Sequence, residues 1–438
     1  MASQFAFLGS VTAGSAGQAG PVTTGSADTS TADLFVAWVS SFGVVPSAVS
    51  DSKSNTWAAK TAYPAAPSGT CIRAFVCEQP GSVGTGHTFT GTALNGYPAI
   101  TVFFFSGCAK SLAFDQESGA NTASPGSVTP RAANSLVLSA ISYYPGNTLT
   151  IDGTGWSTPV RTDYAAGAHM GIGAAYKIQG SATAENRTWT AGTGFTDRST
   201  TVLTLFDADV VVMRPDGDSA VGSWTTDSGG TTNLYQKIDE GVIAATDTTD
   251  YVKANNDVNN SDYKVTLPNM PSNWSAMASV TINVRYALSG APPGSSKDTY
   301  GISARVVNGA TILAASDSGG TFQSLVSTTT MSTAFSNTGD VAFTYVNTSA
   351  SSATWNGAVL EIRQTYTQSG SKDAHAVEVS VAELIGVYTV SVPPQTIDVT
   401  GTVCSSTSSA TAPSQVITNS QVPAATSSQS SATAPSQT

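Results

Sequence analysis

Three histidines are the first residues to weigh for catalysis in this 438-residue chain. His87 lies in the turn Gly84-Thr85-Gly86-His87, His169 precedes a predicted strand and His375 begins one. A Ser-His-Asp triad is defined by geometry, and no Gly-x-Ser-x-Gly elbow leads into a helix, so a serine hydrolase has no support in the sequence. Glycoside hydrolysis needs two carboxylates facing each other across a cleft. With 29 acidic residues such pairs arise by chance. Glu361, Glu378 and Glu383 fall in or beside alternating strands, where Glu on a solvated sheet face is the expected role. No residue is nominated as catalytic, and the chain is read as non-enzymatic.

Oxygen ligands for calcium come next. Arg214-Pro215-Asp216-Gly217-Asp218 is a tight turn that presents Asp216 and Asp218 one residue apart, with Asp207-Ala208-Asp209 just upstream. Hard carboxylate oxygens of this kind suit Ca²⁺, but the remaining ligand spacing and the bidentate Glu of the helix-loop-helix site are absent. Pro-Asp-Gly is also an ordinary turn sequence. The Walker and dinucleotide fingerprints are missing, because the glycines sit in Ser/Thr-rich turns between strands; no cofactor is expected. The four cysteines, Cys71, Cys77, Cys108 and Cys404, form no Cys-x-x-Cys pair and have no nearby histidine, which argues against zinc. If oxidised, Cys77 and Cys108 would join two neighbouring strands and Cys404 would cross-link subunits. The favoured reading is three small buried apolar residues and one thiol in the tail. Trp57, Trp156 and Trp189 fall near predicted turns and are the candidates for a glycan platform, since ring faces stack on sugar faces. Seven Trp are also what two β cores require.

The elements that must position these residues are strands. Only 11% of the chain is charged, against about 25% in an ordinary soluble domain. Gly (40) and Pro (20) are frequent, Ser, Thr and Ala abound, and Glu, Lys and Leu are few. An all-β protein follows. The net charge of −11 argues against nucleic acid, whose binding needs clustered Lys and Arg to displace counterions. No basic residue precedes Lys53, so no secretory signal is legible, and the apolar runs 34–39 and 100–105 are far shorter than the roughly 18 residues of a spanning helix. Membrane insertion is not expected.

Period-2 alternation is clearest at 280–288, where Val280, Ile282, Val284, Tyr286 and Leu288 alternate with Thr281, Asn283, Arg285 and Ala287. Further strands are predicted at 233–239, 262–267, 300–307, 341–347, 358–363 and 377–381, divided by turns such as Pro292-Pro293-Gly294 and Ser318-Gly319-Gly320. In the first half they are predicted at 5–9, 34–39, 71–77, 100–106, 135–141, 170–178 and 200–206. The run Ile100-Thr101-Val102-Phe103-Phe104-Phe105 is apolar on both pleat faces, so it must be covered on both sides. The expected architecture is two consecutive β-sandwich, jelly-roll-like domains, 1–206 and 207–392, followed by an extended low-complexity tail at 393–438. In that tail Ser-Ser-Ala-Thr-Ala-Pro-Ser-Gln occurs at 408–415 and again at 430–437. With so few large apolar side chains the tail cannot offset its ordering entropy alone, and it is expected to serve as an anchor or inter-subunit tie.

A family resemblance attaches to particular residues. Asp33-Leu34-Phe35-Val36-Ala37-Trp38, then Val49-Ser50-Asp51-Ser52-Lys53-Ser54-Asn55-Thr56-Trp57, then Val102-Phe103-Phe104-Phe105-Ser106-Gly107 resemble a β-sandwich module frequent in phage virion proteins and some bacterial surface proteins, with Ser54 where the pattern has Gly. Arg214-Pro215, Val221-Gly222-Ser223-Trp224, Leu234-Tyr235-Gln236-Lys237-Ile238-Asp239 and the closing Ala376-Val377-Glu378-Val379-Ser380-Val381 resemble a second module of tailed-bacteriophage appendages. The resemblance implies a structural protein of the virion surface (a fibre, head decoration or minor tail component) assembled in the host cytoplasm. Its implied partners are other virion proteins, met through the tail. A homotrimer is expected, with apolar faces such as Tyr286 and Leu288 buried by symmetry. The alternative is a glycan- or receptor-binding adhesin that uses the loop tryptophans against a host surface glycan.

Overall fold

Strand follows strand along the chain, because β-branched and aromatic residues alternate with polar ones between turns rich in Gly, Ser and Asn. The computed structural model describes residues 4–390 apart from 16, 18–19, 94–95, 111, 147, 166–168, 241–249, 257, 271–273, 291–297 and 370–374. The tail at 393–438, its repeat and Cys404 lie outside the described residues. The described helices are single turns, Leu234–Lys237 and Ser352–Trp355.

The first sandwich packs two five-stranded antiparallel sheets. One runs in the order Ala6–Gly14, Ala99–Ser106, Leu34–Phe42, Thr70–Glu78, Ala58–Tyr63. The other runs Val160–Ala165, Met170–Gln179, Ser135–Tyr144, Asp197–Leu205, Phe114–Ala120. Trp38, Phe103, Phe105, Leu136, Leu138 and Leu203 fill the space between them. The opposite face of the first sheet is covered in turn by a three-stranded layer of Val22–Thr23, Phe89–Thr92 and Ala48–Asp51. Phe35, Val39, Ile100, Val102 and Phe104 pack there against Val49 and Phe89. That second cover explains why the apolar run at 100–105 has no polar face: odd and even residues enter different cores. The far face of the second sheet is capped by Leu149–Ile151 paired with Trp189–Ala191, over Ile141, Tyr143 and Ala175.

The second sandwich is again antiparallel. In one sheet Val377–Val390 pairs with Trp274–Leu288, Val252–Lys253 and Val210–Met213. In the facing sheet Gly217–Ala220, Ser261–Thr266, Val359–Thr367 and Thr299–Asn308 lie side by side, and the far edge of Thr299–Asn308 is shared by Thr311–Ala315 and Gln323–Thr328. Trp224, Tyr263, Ile282, Ile302, Leu360, Ile362 and Leu384 make the core.

Val210–Met213 joins the two sandwiches. Val210 and Val212 pack into the core of the first, while Val211 and Met213 enter the core of the second. Four consecutive buried apolar residues are therefore two alternating faces, each with its own core. Met1–Ser391 packs as one compact unit.

Several expectations are corrected. Residues 233–239 are not a strand: Asp218 accepts hydrogen bonds from the N–H groups of Leu234 (2.8 Å) and Tyr235 (2.9 Å), and this anchors a 3-10 turn. The span 341–347 is two separate two-residue strands, Val341–Ala342 and Tyr345–Val346, on different sheets. Leu288 is buried and Tyr286 is half-buried against the chain's own core, so neither supplies the free face from which a trimer was expected. Glu361, Glu378 and Glu383 are 3%, 8% and 1% exposed, so none of them sits on a solvated face. Glu361 is paired with Lys264 and Arg305, and Glu383 with Arg131 and Arg214.

Candidate functional site

The sheet built on Thr299–Asn308 carries a polar lattice beside a cleft. Strand alternation sends Tyr300, Ile302, Ala304 and Val306 into the core, which leaves Gly301, Ser303 and Arg305 on the outer face. The same alternation places Glu361, Arg363 and Thr365 outward on Val359–Thr367, and Asp262 and Lys264 outward on Ser261–Thr266. Register then sets two rows. Asp262, Arg363 and Ser303 are direct cross-strand partners, as are Lys264, Glu361 and Arg305. Arg363 donates to both oxygens of Asp262 at 2.6 and 2.8 Å, a bidentate fork that also holds its guanidinium above the ordinary arginine value. Glu361 accepts from Lys264 at 2.5 Å and from Nε of Arg305 at 2.6 Å.

Residues 317–322 fold over this lattice. The Asp317 carboxylate accepts from the backbone N–H (3.0 Å) and the hydroxyl (2.7 Å) of Thr321, which closes the turn. Gly320 has φ +84°, and a Cβ there would lie 2.5 Å from Cδ1 of Ile312, so glycine is needed for both conformation and space. Arg305 Nη1 donates to the Gly320 carbonyl at 2.8 Å. The Phe322 ring comes to rest against both arginines, its centre 3.7 Å from the guanidinium carbon of Arg363 and 4.5 Å from that of Arg305. Between turn and sheet lies an open cleft of about 480 Å³, lined by these three side chains with Asn260, Ser303 and Thr365 among others. Ser303 is 5% exposed, and its Oγ has no hydrogen-bond partner among the described residues.

The residues nominated from sequence lie elsewhere. Trp189 is fully buried, with Nε1 donating to Ser139 Oγ at 2.9 Å. Trp156 is half-buried against the same far face of the second sheet. Trp57 packs on the opposite side of the first sandwich, against Phe35 and Phe89, and donates to Asp51 at 2.7 Å. The three rings therefore make no common platform, because each completes a layer that the sandwich needs. Asp51 is also the partner of buried His87, whose Nε2 lies 3.0 Å away while its Nδ1 meets Thr29 Oγ1 at 2.9 Å. Burial works against the Asp51 charge, yet hydrogen bonds from Trp57, His87 and the N–H groups of Lys53 and Asn55 hold its carboxyl below the usual range. This Thr-His-Asp array sits under the three-stranded layer with His87 fully buried, so it serves as a structural hub. Ser54, in the same turn, adopts φ +61° and so takes the left-handed conformation a glycine accommodates readily.

Cys77 and Cys108 are free thiols on opposite faces of the first sheet, in different cores, so the disulfide is not formed. Burial pushes the Cys71 and Cys77 thiols up to about 12 and raises Cys108 as well. Asp216 accepts from the Thr266 hydroxyl, and Asp218 accepts from Leu234, Tyr235 and the Tyr263 hydroxyl, so both carboxylates take part in fixing the local turns. Among the described residues no group of three or more His, Cys, Asp or Glu is arranged to hold a metal, and no helix is long and apolar enough to cross a membrane. Sequence reasoning passed over the cleft itself. Its only sequence signals are arginines at outward positions of two strands and the Gly-Gly-Thr-Phe turn at 319–322.

No protein-family model matches the chain, and no curated protein matches it. Among solved structures it is similar to SGBP-B from a complex xyloglucan utilization locus in Bacteroides uniformis, at 8% identity, with 85% of this chain and 97% of that chain covered and a TM-score of 0.24.

Proposed function

We propose that the chain is a non-enzymatic recognition protein of the tailed-phage virion surface, in a fibre, head decoration or minor tail component, that meets a receptor of the host surface through the cleft of its second sandwich. The observation that carries the binding role is the cleft: two arginines held in place by their own carboxylates, the Phe322 ring and the Gly320 carbonyl, beside a buried hydroxyl with no partner. Such preorganisation lowers the entropy lost on binding. The phage setting is supported by the sequence resemblance, whose residues occupy Leu34–Phe42, Ala48–Asp51 with its turn, and Ala99–Ser106, the strands that hold the first sandwich together. In this reading the first sandwich is the scaffold, and the segment 393–438 ties the chain to other virion proteins or to sister copies in a trimer.

An array of bacterial surface polysaccharides tests the binding role. Ser324 is exposed and lines the cleft, so Ser324→Trp would fill the opening without disturbing a core. Saturable binding by the wild type and its loss in Ser324→Trp are expected. Equal binding by both proteins, or no binding by either, would remove the cleft from the account.

A further inference from the structure

We infer that the cleft takes an acidic saccharide, with its carboxylate on the unshared N–H edges of Arg305 and Arg363 and a ring hydroxyl on Ser303. This deepens the recognition reading and rests on it. The first ground is the donor inventory. Arg305 spends Nε on Glu361 and Nη1 on Gly320, and Arg363 spends Nε and Nη2 on Asp262. Nη2 of Arg305 and Nη1 of Arg363 hydrogen-bond none of the described residues. Two planar forks fixed against one ring suit a planar carboxylate better than a neutral hydroxyl. Arg305 and Arg363 are the charged groups that line the cleft, and with Lys264 beside them the lattice of Asp262, Glu361 and three cations carries one surplus positive charge.

The second ground is Ser303. Its Oγ is one of several buried polar side-chain atoms without a partner among the described residues, and it is the one that lines the cleft, where a ligand hydroxyl would supply the bond. The third is the rest of the lining. Asn260, Thr321, Ser324 and Thr365 offer amide and hydroxyl groups, while the one aromatic ring, Phe322, is already engaged by the guanidiniums. That surface fits a hydroxyl-rich ligand and gives no apolar pocket for a peptide side chain. A polyanion such as nucleic acid is disfavoured by the −11 net charge and the single surplus cation. The volume of about 480 Å³ lies inside the roughly 300–1,000 Å³ of small-molecule sites.

Calorimetric titration of the full chain with trigalacturonic acid, its trimethyl ester and neutral maltotriose tests the inference. The acid should bind and both neutral sugars should bind at least tenfold more weakly. Ser303→Ala removes only an unpartnered buried hydroxyl, so it should melt at or above the wild-type temperature while weakening the acid about tenfold. Arg363→Lys, which keeps the charge and loses the fork, should weaken the acid to a similar degree. Neutral sugars bound as tightly as the acid would leave the recognition reading standing and overturn the acidic ligand. Displacement by sodium sulfate at equal concentration would reduce the site to one for any small anion and also overturn it. No binding of any sugar would count against both.

Discussion

Arg131 of the first sandwich donates to Glu383 of the second, and both side chains lie beneath the surface. The same guanidinium donates to Asp115 at 2.6 Å, and Glu383 also accepts from Arg214 at 2.7 Å. Both carboxylates are fully buried. This cluster crosses the junction at which Val210–Met213 serves two cores, so charge pairing and apolar packing hold the sandwiches at the same place. Removing one partner of a buried pair leaves an uncompensated charge, which costs about 3 to 5 kcal/mol. Arg131→Met should therefore lower the free energy of unfolding measured in urea by that order and leave binding at the distant cleft unchanged once the protein is folded.

A third buried carboxylate, Asp209, gives a pH signature. Burial, together with the neighbouring Asp207, raises Asp209 to about 6 from 3.8. Between these values the folded state binds the extra proton, so stability is fully present below about 3.8 and is lost as pH rises through about 6. Asp209→Asn should flatten the pH dependence of Tm between 4 and 6 and raise Tm at pH 7. A wild-type Tm that climbs across that window without the substitution changing its slope would contradict the assignment.

Trp189 separates the two roles considered for the tryptophans. It is 1% exposed and hydrogen-bonded to Ser139, within the layer that caps Tyr143 and Ala175. Trp189→Ala should cost about 3 to 5 kcal/mol, read as a fall in thermal midpoint and loss of near-ultraviolet dichroism. A variant that melts like the wild type but no longer binds glycan would restore the loop-platform reading.

The fold was more legible in the sequence than the site because alternation is a local property and pairing is not. Ile100 to Phe105 announces a doubly covered strand through its own side chains. Residues 233–239 misled because their apolar spacing also fits a strand, while the Asp218 carboxylate that anchors the turn comes from another element 16 residues away. The cleft depends on Ser303 meeting Arg363 and on Arg305 meeting Glu361, registers between strands more than fifty residues apart. It also depends on Phe322 returning over them. Nothing in one sequence states those pairings. The tryptophans drew attention by type and by their place near predicted turns, and the sandwich layers use them as packing.

Immunogold labelling of particles purified from the producing culture, with antibody raised against the whole chain, tests the central claim most directly. Gold on the capsid, neck or tail of the particles is the predicted result, and it would also locate the appendage. Bare particles beside labelled cell envelopes would contradict the virion assignment and give the cleft to a bacterial surface protein.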